Sequence, residues 1–275
     1  MSFQFDPTSL TTNDFSPSAA LSTAHLAHLA YQDAEALHAT AESHGLSLLQ
    51  HESFSNPFSF EATQGFALEL EDRMVLVFRG SDEKADWLLN LKIAKTAPWN
   101  STYAGRVHKG FHQGLELVWE KAVAPFLAHS KDKPITVVGH SLGGALAVLA
   151  AHRIGKERLA SLFTFGQPLA GDRRFARAQD ERSQKRYFRI VNDRDIVARI
   201  PPRPIYQHAG LLKFLNREGE LIDGTDLSLR EEVHPSRPLT IEEFKALQEE
   251  LRASRGPLAD RERELPPIIA DHLVF

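Results

Sequence analysis

Apolar residues change their spacing from one stretch of this chain to the next, and those changes outline its elements. From Ser16-Pro17 to about Ser43, residues Leu21, Ala24, Leu26, Leu29, Ala30, Ala34 and Leu37 recur at helical spacing, with a proline in the first turn and Gly45 past the end. That pattern predicts one long amphipathic helix. Gly65–Leu70 and Met74–Phe78 are short apolar runs on either side of Glu71-Asp72-Arg73 and read as a strand pair. A helical pattern carrying Leu115, Val118, Trp119, Val123 and Phe126 runs from Phe111 to about Ser130. Beyond it strands and helices alternate: strand 135–138, helix 142–155, strand 161–165, helix 172–182 and strand 186–191. Leu211–Asn216 and Glu220–Ile222 follow as strands around a Glu-Gly turn, and Thr240-Ile-Glu-Glu243 has the form of a capping box opening a helix to about Ala253. Such alternation predicts the α/β class, with a mostly parallel central sheet flanked by helices. Residues 1–15 are polar and aperiodic, so a loosely ordered tail is expected there, followed by a single domain over 16–275.

Within this order, Ile135-Thr-Val-Val-Gly-His-Ser-Leu-Gly-Gly144 is the stretch richest in chemistry. It reads as a buried strand, a glycine-flanked serine and the start of a helix, the pattern of a nucleophile elbow. Ser141 would occupy a strained turn with its hydroxyl clear of the sheet, and Gly139 and Gly143 would leave room for the turn. The helix opening at Leu142 would present free N–H groups and its positive dipole end where negative charge develops. His140 abuts the serine, but its side chain diverges from it on the turn and is expected to support the elbow from behind.

Composition narrows the possibilities. The chain has 275 residues, 42% of them hydrophobic, enough for one large core. With 32 basic and 36 acidic residues the formal charge is −4, which gives no reason to expect a nucleic-acid partner. Cysteine is absent, so disulfides, a thiolate nucleophile and cysteine metal ligation are excluded. Met1–Pro7 lacks a basic region followed by an apolar stretch, so no signal peptide is read and a cytoplasmic location is the expectation. The longest apolar run, near Ala145–Ala151, is far short of the roughly 18 residues that span a bilayer, so membrane contact would be peripheral.

Hydrolases built on such an elbow place the acid, and then the histidine, downstream of the nucleophile. The strand 186–191 runs into Asn192-Asp-Arg-Asp195, putting both Asp193 and Asp195 at its carboxyl end, on the same sheet edge as Ser141. His208, His234 and His272 follow. His208 precedes the last strand and His234 sits on a proline-bounded loop, while the apolar run 265–270 favours His272 as the residue carried back to the serine. His108 precedes Ser141 in the chain, which leaves it a packing or hydrogen-bonding role; His25, His28, His38 and His44 read as surface or packing residues.

Six landmarks taken in order resemble the fungal-type class 3 lipases of the α/β-hydrolase superfamily. They are Val77-Phe-Arg-Gly-Ser81 with Asp86-Trp87, Val107-His-Lys-Gly-Phe111, Gly139-His-Ser-Leu-Gly-Gly144, Thr164-Phe-Gly-Gln-Pro168, Asp195-Ile-Val-Ala-Arg-Ile-Pro-Pro202 and Ala270-Asp-His-Leu-Val-Phe275. The resemblance implies Ser141 as nucleophile, Asp195 rather than Asp193 as acid and His272 as base. It further implies an oxyanion hole from Ser81 and the Leu142 N–H, and a short lid with Asp86, Trp87, Leu88 and Leu89 over the acyl groove. Burial of Trp87 and Leu88 in the core is the plain alternative for that segment. Ala198 stands where the family carries a proline, a change expected to loosen the acid loop. The implied activity is hydrolysis of acylglycerol-type esters through a Ser141 acyl-enzyme, with transient contact at a lipid–water interface and no metal or organic cofactor. Phospholipase A1-like or feruloyl-type esterase activity and a catalytically silent, ligand-binding hydrolase fold are the alternatives.

Overall fold

The computed structural model describes residues 5–49, 58–60, 63–81, 91, 97–98, 104–224 and 237–253. Eleven strands are formed among them: β1 (Ser47–Leu48), β2 (Phe58–Phe60), β3 (Thr63–Glu69), β4 (Met74–Phe78), β5 (Ala97–Pro98), β6 (Arg106–Val107), β7 (Ile135–His140), β8 (Leu159–Phe165), β9 (Tyr187–Asn192), β10 (Leu211–Leu215) and β11 (Leu221–Asp223). Nine of these make one sheet in the order β1-β3-β4-β7-β8-β9-β10-β11, with β2 also on β3, while β5 and β6 pair separately. The centre, β4 through β10, is parallel, and antiparallel pairings close both margins.

Every residue of β4, β7 and β8 is buried. Nearly unbroken apolar runs are what a parallel strand needs when helices cover both of its faces. Alternation along β4 divides it between two cores: Val75 and Val77 pack with Leu26, Leu29, Leu37 and Phe163 on one face, and Met74, Leu76 and Phe78 with Leu115, Ala145 and Leu149 on the other. The first face is covered by α1 (Pro17–Leu29) and α2 (Ala34–Ser43). The second is covered by α3 (Lys109–Val118), α4 (Ala124–His129), α5 (Leu142–Ile154), α6 (Arg173–Ser183) and α7 (Ile241–Ala253). None of the described helices is long and apolar enough to cross a membrane.

The single long helix expected over 16–43 is instead two. Tyr31 N–H and Gln32 N–H turn back to His28 O and Leu29 O at 3.0 and 3.1 Å, and the Asp33 carboxylate caps a new helix by accepting from Ala36 N at 2.8 Å. An aspartate offers the backbone an alternative to continuing the helix, and apolar spacing does not register that. Pro125 explains a smaller departure. It has no N–H for the carbonyl four residues back, and a π turn at Trp119–Val123 separates α3 from α4 within the helical stretch expected from 111 to 130. Part of the expected loose tail is packed: Pro7–Leu10 forms a 3-10 turn, Leu10 is buried, and Phe15 meets the Phe188 ring edge-on at 5.3 Å. The capping box holds as read, with Glu243 N donating to Thr240 Oγ1 at 3.2 Å and Thr240 N to Glu243 Oε2 at 2.8 Å.

One buried histidine ties the second face to pH. His152 of α5 is fully enclosed, bonded through Nδ1 to Gln179 Oε1 at 2.8 Å, and burial lowers its pKa to about 4. Between pH 6.5 and 4 the unfolded chain therefore binds a proton there that the folded chain does not. Stability present above pH 6.5 is lost as pH falls through this window, by about 3 kcal/mol for a group shifted this far. Urea titrations at pH 7 and pH 4 should give a markedly smaller stability difference in His152→Gln than in the wild type. An equal difference in the two proteins would show that another group carries the acid sensitivity.

Candidate active site

The geometry of the site starts from the backbone of Ser141. It adopts φ 56° and ψ −128° between β7 and α5, a conformation that costs a non-glycine residue of order 1–3 kcal/mol and persists only when its surroundings dictate it. Ser141 N still donates to Phe165 O of β8 at 2.9 Å, so the strand ladder runs up to the turn itself. The flanking glycines answer to space. A Cβ on Gly139 would lie 2.3 Å from Gly143 O, one on Gly143 would lie 2.3 Å from Phe78 O, and one on Gly144 would meet Gln167 Cβ at 2.8 Å. The first turn of α5 thus presses directly on the ends of β4 and β7.

The same corner brings a second segment against Ser141. Beyond Phe78 the chain passes over the elbow, and a Cβ on Gly80 would be 2.8 Å from both Ser141 Cβ and His140 O. Ser81 is therefore next to the residue in contact with the nucleophile, and no described residue engages its N–H or its hydroxyl. The Leu142 N–H opens α5, where the first donors of a helix have no intrahelical acceptor. Two independent segments bring N–H groups to the side of Ser141, the arrangement that stabilises an anionic tetrahedral centre.

The acid loop leaves the same edge of the sheet, two strands away. Asp193 lies at φ 33° and accepts from Arg217 Nε at 2.6 Å, so this carboxylate is paired with the β10–β11 turn. Asp195 is 1% exposed and accepts from Val197 N at 2.9 Å through one oxygen. Expected to be loose at Ala198, the loop is held at each of three successive carbonyls. His208 Nε2 donates to Ala198 O at 2.7 Å, Leu239 N to Arg199 O at 2.8 Å and Leu169 N to Ile200 O at 2.7 Å. Burial, with the Arg189 guanidinium nearby, drives the His208 pKa well below its ordinary value, so the ring stays neutral and keeps this bond.

Several candidates now have places. His208 is committed to the acid loop. His108 caps α3, its Nδ1 accepting from Phe111 N at 3.4 Å, with its ring 4.2 Å from that of Phe111. His140 bonds through Nδ1 to the Tyr31 hydroxyl at 2.6 Å. His234, His272 and the lid residues Asp86, Trp87, Leu88 and Leu89 lie outside the described residues. The sequence pattern gave no hint of Tyr31, of the loop-holding role of His208, or of Gln167, which accepts from Thr164 Oγ1 at 3.0 Å and supports Gly144. Tyr31 and His208 bond to segments distant in the chain, and Gln167 packs against Gly144 across the elbow, contacts that no local periodicity encodes. Among the described residues no group of three or more His, Asp or Glu is placed to hold a metal ion.

Known proteins resemble this chain in sequence and in fold. The family model described as lipase (class 3) matches residues 75–204, from β4 through the acid loop. A lipase of Rhizomucor miehei is 38% identical over 152 residues, 51% of this chain and 41% of that protein. A chloroplastic phospholipase A(1) of Arabidopsis thaliana is 29% identical over 238 residues, 72% of this chain and 52% of that protein. The chain thus spans about half or less of the curated relatives it matches. A solved structure of Rhizomucor miehei triacylglyceride lipase superposes with a TM-score of 0.56 at 27% identity, covering 67% of this chain and 72% of that one.

The close approach of α5 to β4 generates a direct test. Gly143→Ala should lower the unfolding free energy by about 2–3 kcal/mol, because the added carbon meets backbone that cannot rotate away. It should also depress turnover, since relief of the clash displaces the Leu142 N–H. Wild-type stability by urea denaturation would show that the glycine is not sterically required.

Proposed function

We propose that the chain is a class 3 lipase, a serine carboxylic ester hydrolase acting on acylglycerol-type lipids, a reading supported by the family match over residues 75–204 and by the likeness to the Rhizomucor miehei lipase. The observation that carries this reading is the strained Ser141 turn with Gly80 packed against its Cβ, which puts two sources of N–H donors beside one hydroxyl. In the proposed cycle His272, oriented by Asp195, takes the Ser141 proton as Oγ attacks the ester carbonyl. The oxygen that gains negative charge is held by the Leu142 N–H and by Ser81. Collapse of the tetrahedral intermediate breaks the ester C–O bond, and the imidazolium returns the proton to the departing alcohol. Water then enters, gives its proton to His272 and attacks the acyl-enzyme, and a second collapse releases the fatty acid and restores Ser141.

Acylglycerols are favoured because the triacylglyceride lipase of Rhizomucor miehei matches both in sequence and in fold. The segment Asp86–Leu89 is proposed to cover the acyl groove and turn its apolar side chains toward a lipid–water interface. Phospholipid hydrolysis is the second reading, supported by the length of the match to the phospholipase A(1) of Arabidopsis thaliana.

Steady-state hydrolysis of p-nitrophenyl esters of increasing acyl length, followed by triacylglycerol and phosphatidylcholine emulsions, tests the proposal. Ser141→Ala should lose on the order of a million-fold in kcat and His272→Ala a comparable factor. Asp195→Asn should lose about 10⁴-fold, whereas Asp193→Asn, which only breaks the pair with Arg217, should stay within a few-fold of wild type. Retention of activity in His272→Ala with loss in His234→Ala would transfer the base to His234. A wild type no faster than Ser141→Ala on every ester would overturn the enzymatic reading and leave a ligand-binding hydrolase fold. Preference for phosphatidylcholine over triacylglycerol would select the phospholipase reading.

A further inference from the structure

Tyr31 lies in the turn that separates α1 from α2, and its hydroxyl touches the two segments that flank the nucleophile. It is 3.1 Å from Gly80 N and 2.6 Å from His140 Nδ1. A backbone N–H can only donate, so the hydroxyl oxygen accepts from Gly80, and the same hydroxyl shares a second hydrogen bond with His140 Nδ1. The Tyr31 ring meets the His140 ring edge-on at 5.6 Å, and the Arg79 guanidinium lies 5.7 Å from its centroid. There is no slack in the contact, since a Cβ on Gly80 would fall 2.5 Å from the hydroxyl.

The parallel ladder between β4 and β7 ends at the pair Phe78 and Gly139. Past that pair the sheet no longer fixes the separation of Arg79–Ser81 from His140–Leu142, yet those are the segments that supply Ser81 and the Leu142 N–H. We propose that Tyr31 is a positioning residue for the oxyanion hole, its hydroxyl replacing the missing ladder bond and setting the distance between the two donor segments. The inference rests on the esterase reading above. With the Gly80 N–H committed to Tyr31, Ser81 is the next donor along the chain and remains available to the oxyanion. Donors must sit about 2.7–3.1 Å from the developing charge, so a small increase in that separation weakens the transition state more than bound substrate.

The test uses Tyr31→Phe, His140→Leu, His140→Asn and the Tyr31→Phe/His140→Leu double variant of the full chain. Read-outs are kcat and KM on a p-nitrophenyl ester, affinity for an alkylboronic acid that forms a tetrahedral anion on Ser141, and the thermal midpoint. Removing an oxyanion donor costs about 10²–10³-fold, and displacing one should cost about 10–100-fold. Tyr31→Phe is therefore expected to lose about 10–100-fold in kcat with KM within about twofold, and boronate affinity should fall in parallel. His140→Leu should lose a similar factor and the double variant little more than either, as for residues acting as one unit. His140→Asn, whose amide can bond the hydroxyl in place of Nδ1, should recover part of the loss even if Tyr31→Phe folds poorly. Turnover of Tyr31→Phe within threefold of wild type overturns the proposal. So does a loss of turnover without loss of boronate affinity, or a double variant whose loss is the product of the two single ones. An inactive wild type would instead sink the esterase reading, and this inference with it.

Discussion

The close approach of the first turn of α5 to the end of β4 is the constraint on which the rest of the site depends. Gly143 has no room for a Cβ against Phe78 O, and Gly139 has none against Gly143 O. This proximity goes with the unfavourable backbone angles of Ser141 and starts the helix, with its N-terminal N–H groups, at the serine itself. Strain at one residue is tolerable because it is over-determined: β7 is completely buried, the ladder bond to Phe165 persists at the turn, and Gln167 supports Gly144 from the other side.

Around that constraint the fold assembles the remaining groups from segments that have little else in common. The acid loop emerges from β9, two strands from the elbow, and is secured by bonds from His208, Leu239 and Leu169. Those three residues belong to three different parts of the chain. The loop can therefore do without a proline at position 198, since its carbonyls are held from outside rather than by its own backbone. His208 has this role only while neutral, and burial beside Arg189 keeps it so. A histidine whose place in the chain makes it a candidate base thus serves instead to hold the loop that carries Asp195.

The N-terminal helices show the same logic. They cover one face of the sheet as a run of leucines and alanines would suggest, but the interruption between them has a purpose beyond covering. It brings a tyrosine to the point where the sheet's own hydrogen bonds stop. A continuous helix would have buried the same apolar face without placing a hydroxyl between Gly80 and His140.

By itself the sequence determined the alternation of strands and helices from Ile135 to Asn192, the parallel character of the sheet's centre, the elbow at Ser141 and the capping box at Thr240. All of these are local: apolar period, glycine placement and capping residues act within a few positions of themselves, so a linear reading captures them. It also brought Asp193 and Asp195 to one sheet edge without separating them through their surroundings. Only the tertiary structure gave Asp193 to Arg217 and buried Asp195, turned His208 toward Ala198, and broke the first helix so that Tyr31 reaches a residue 109 positions away. Those decisions concern which partner a polar group finds once the chain has folded, and partners brought together by folding leave no period in the sequence.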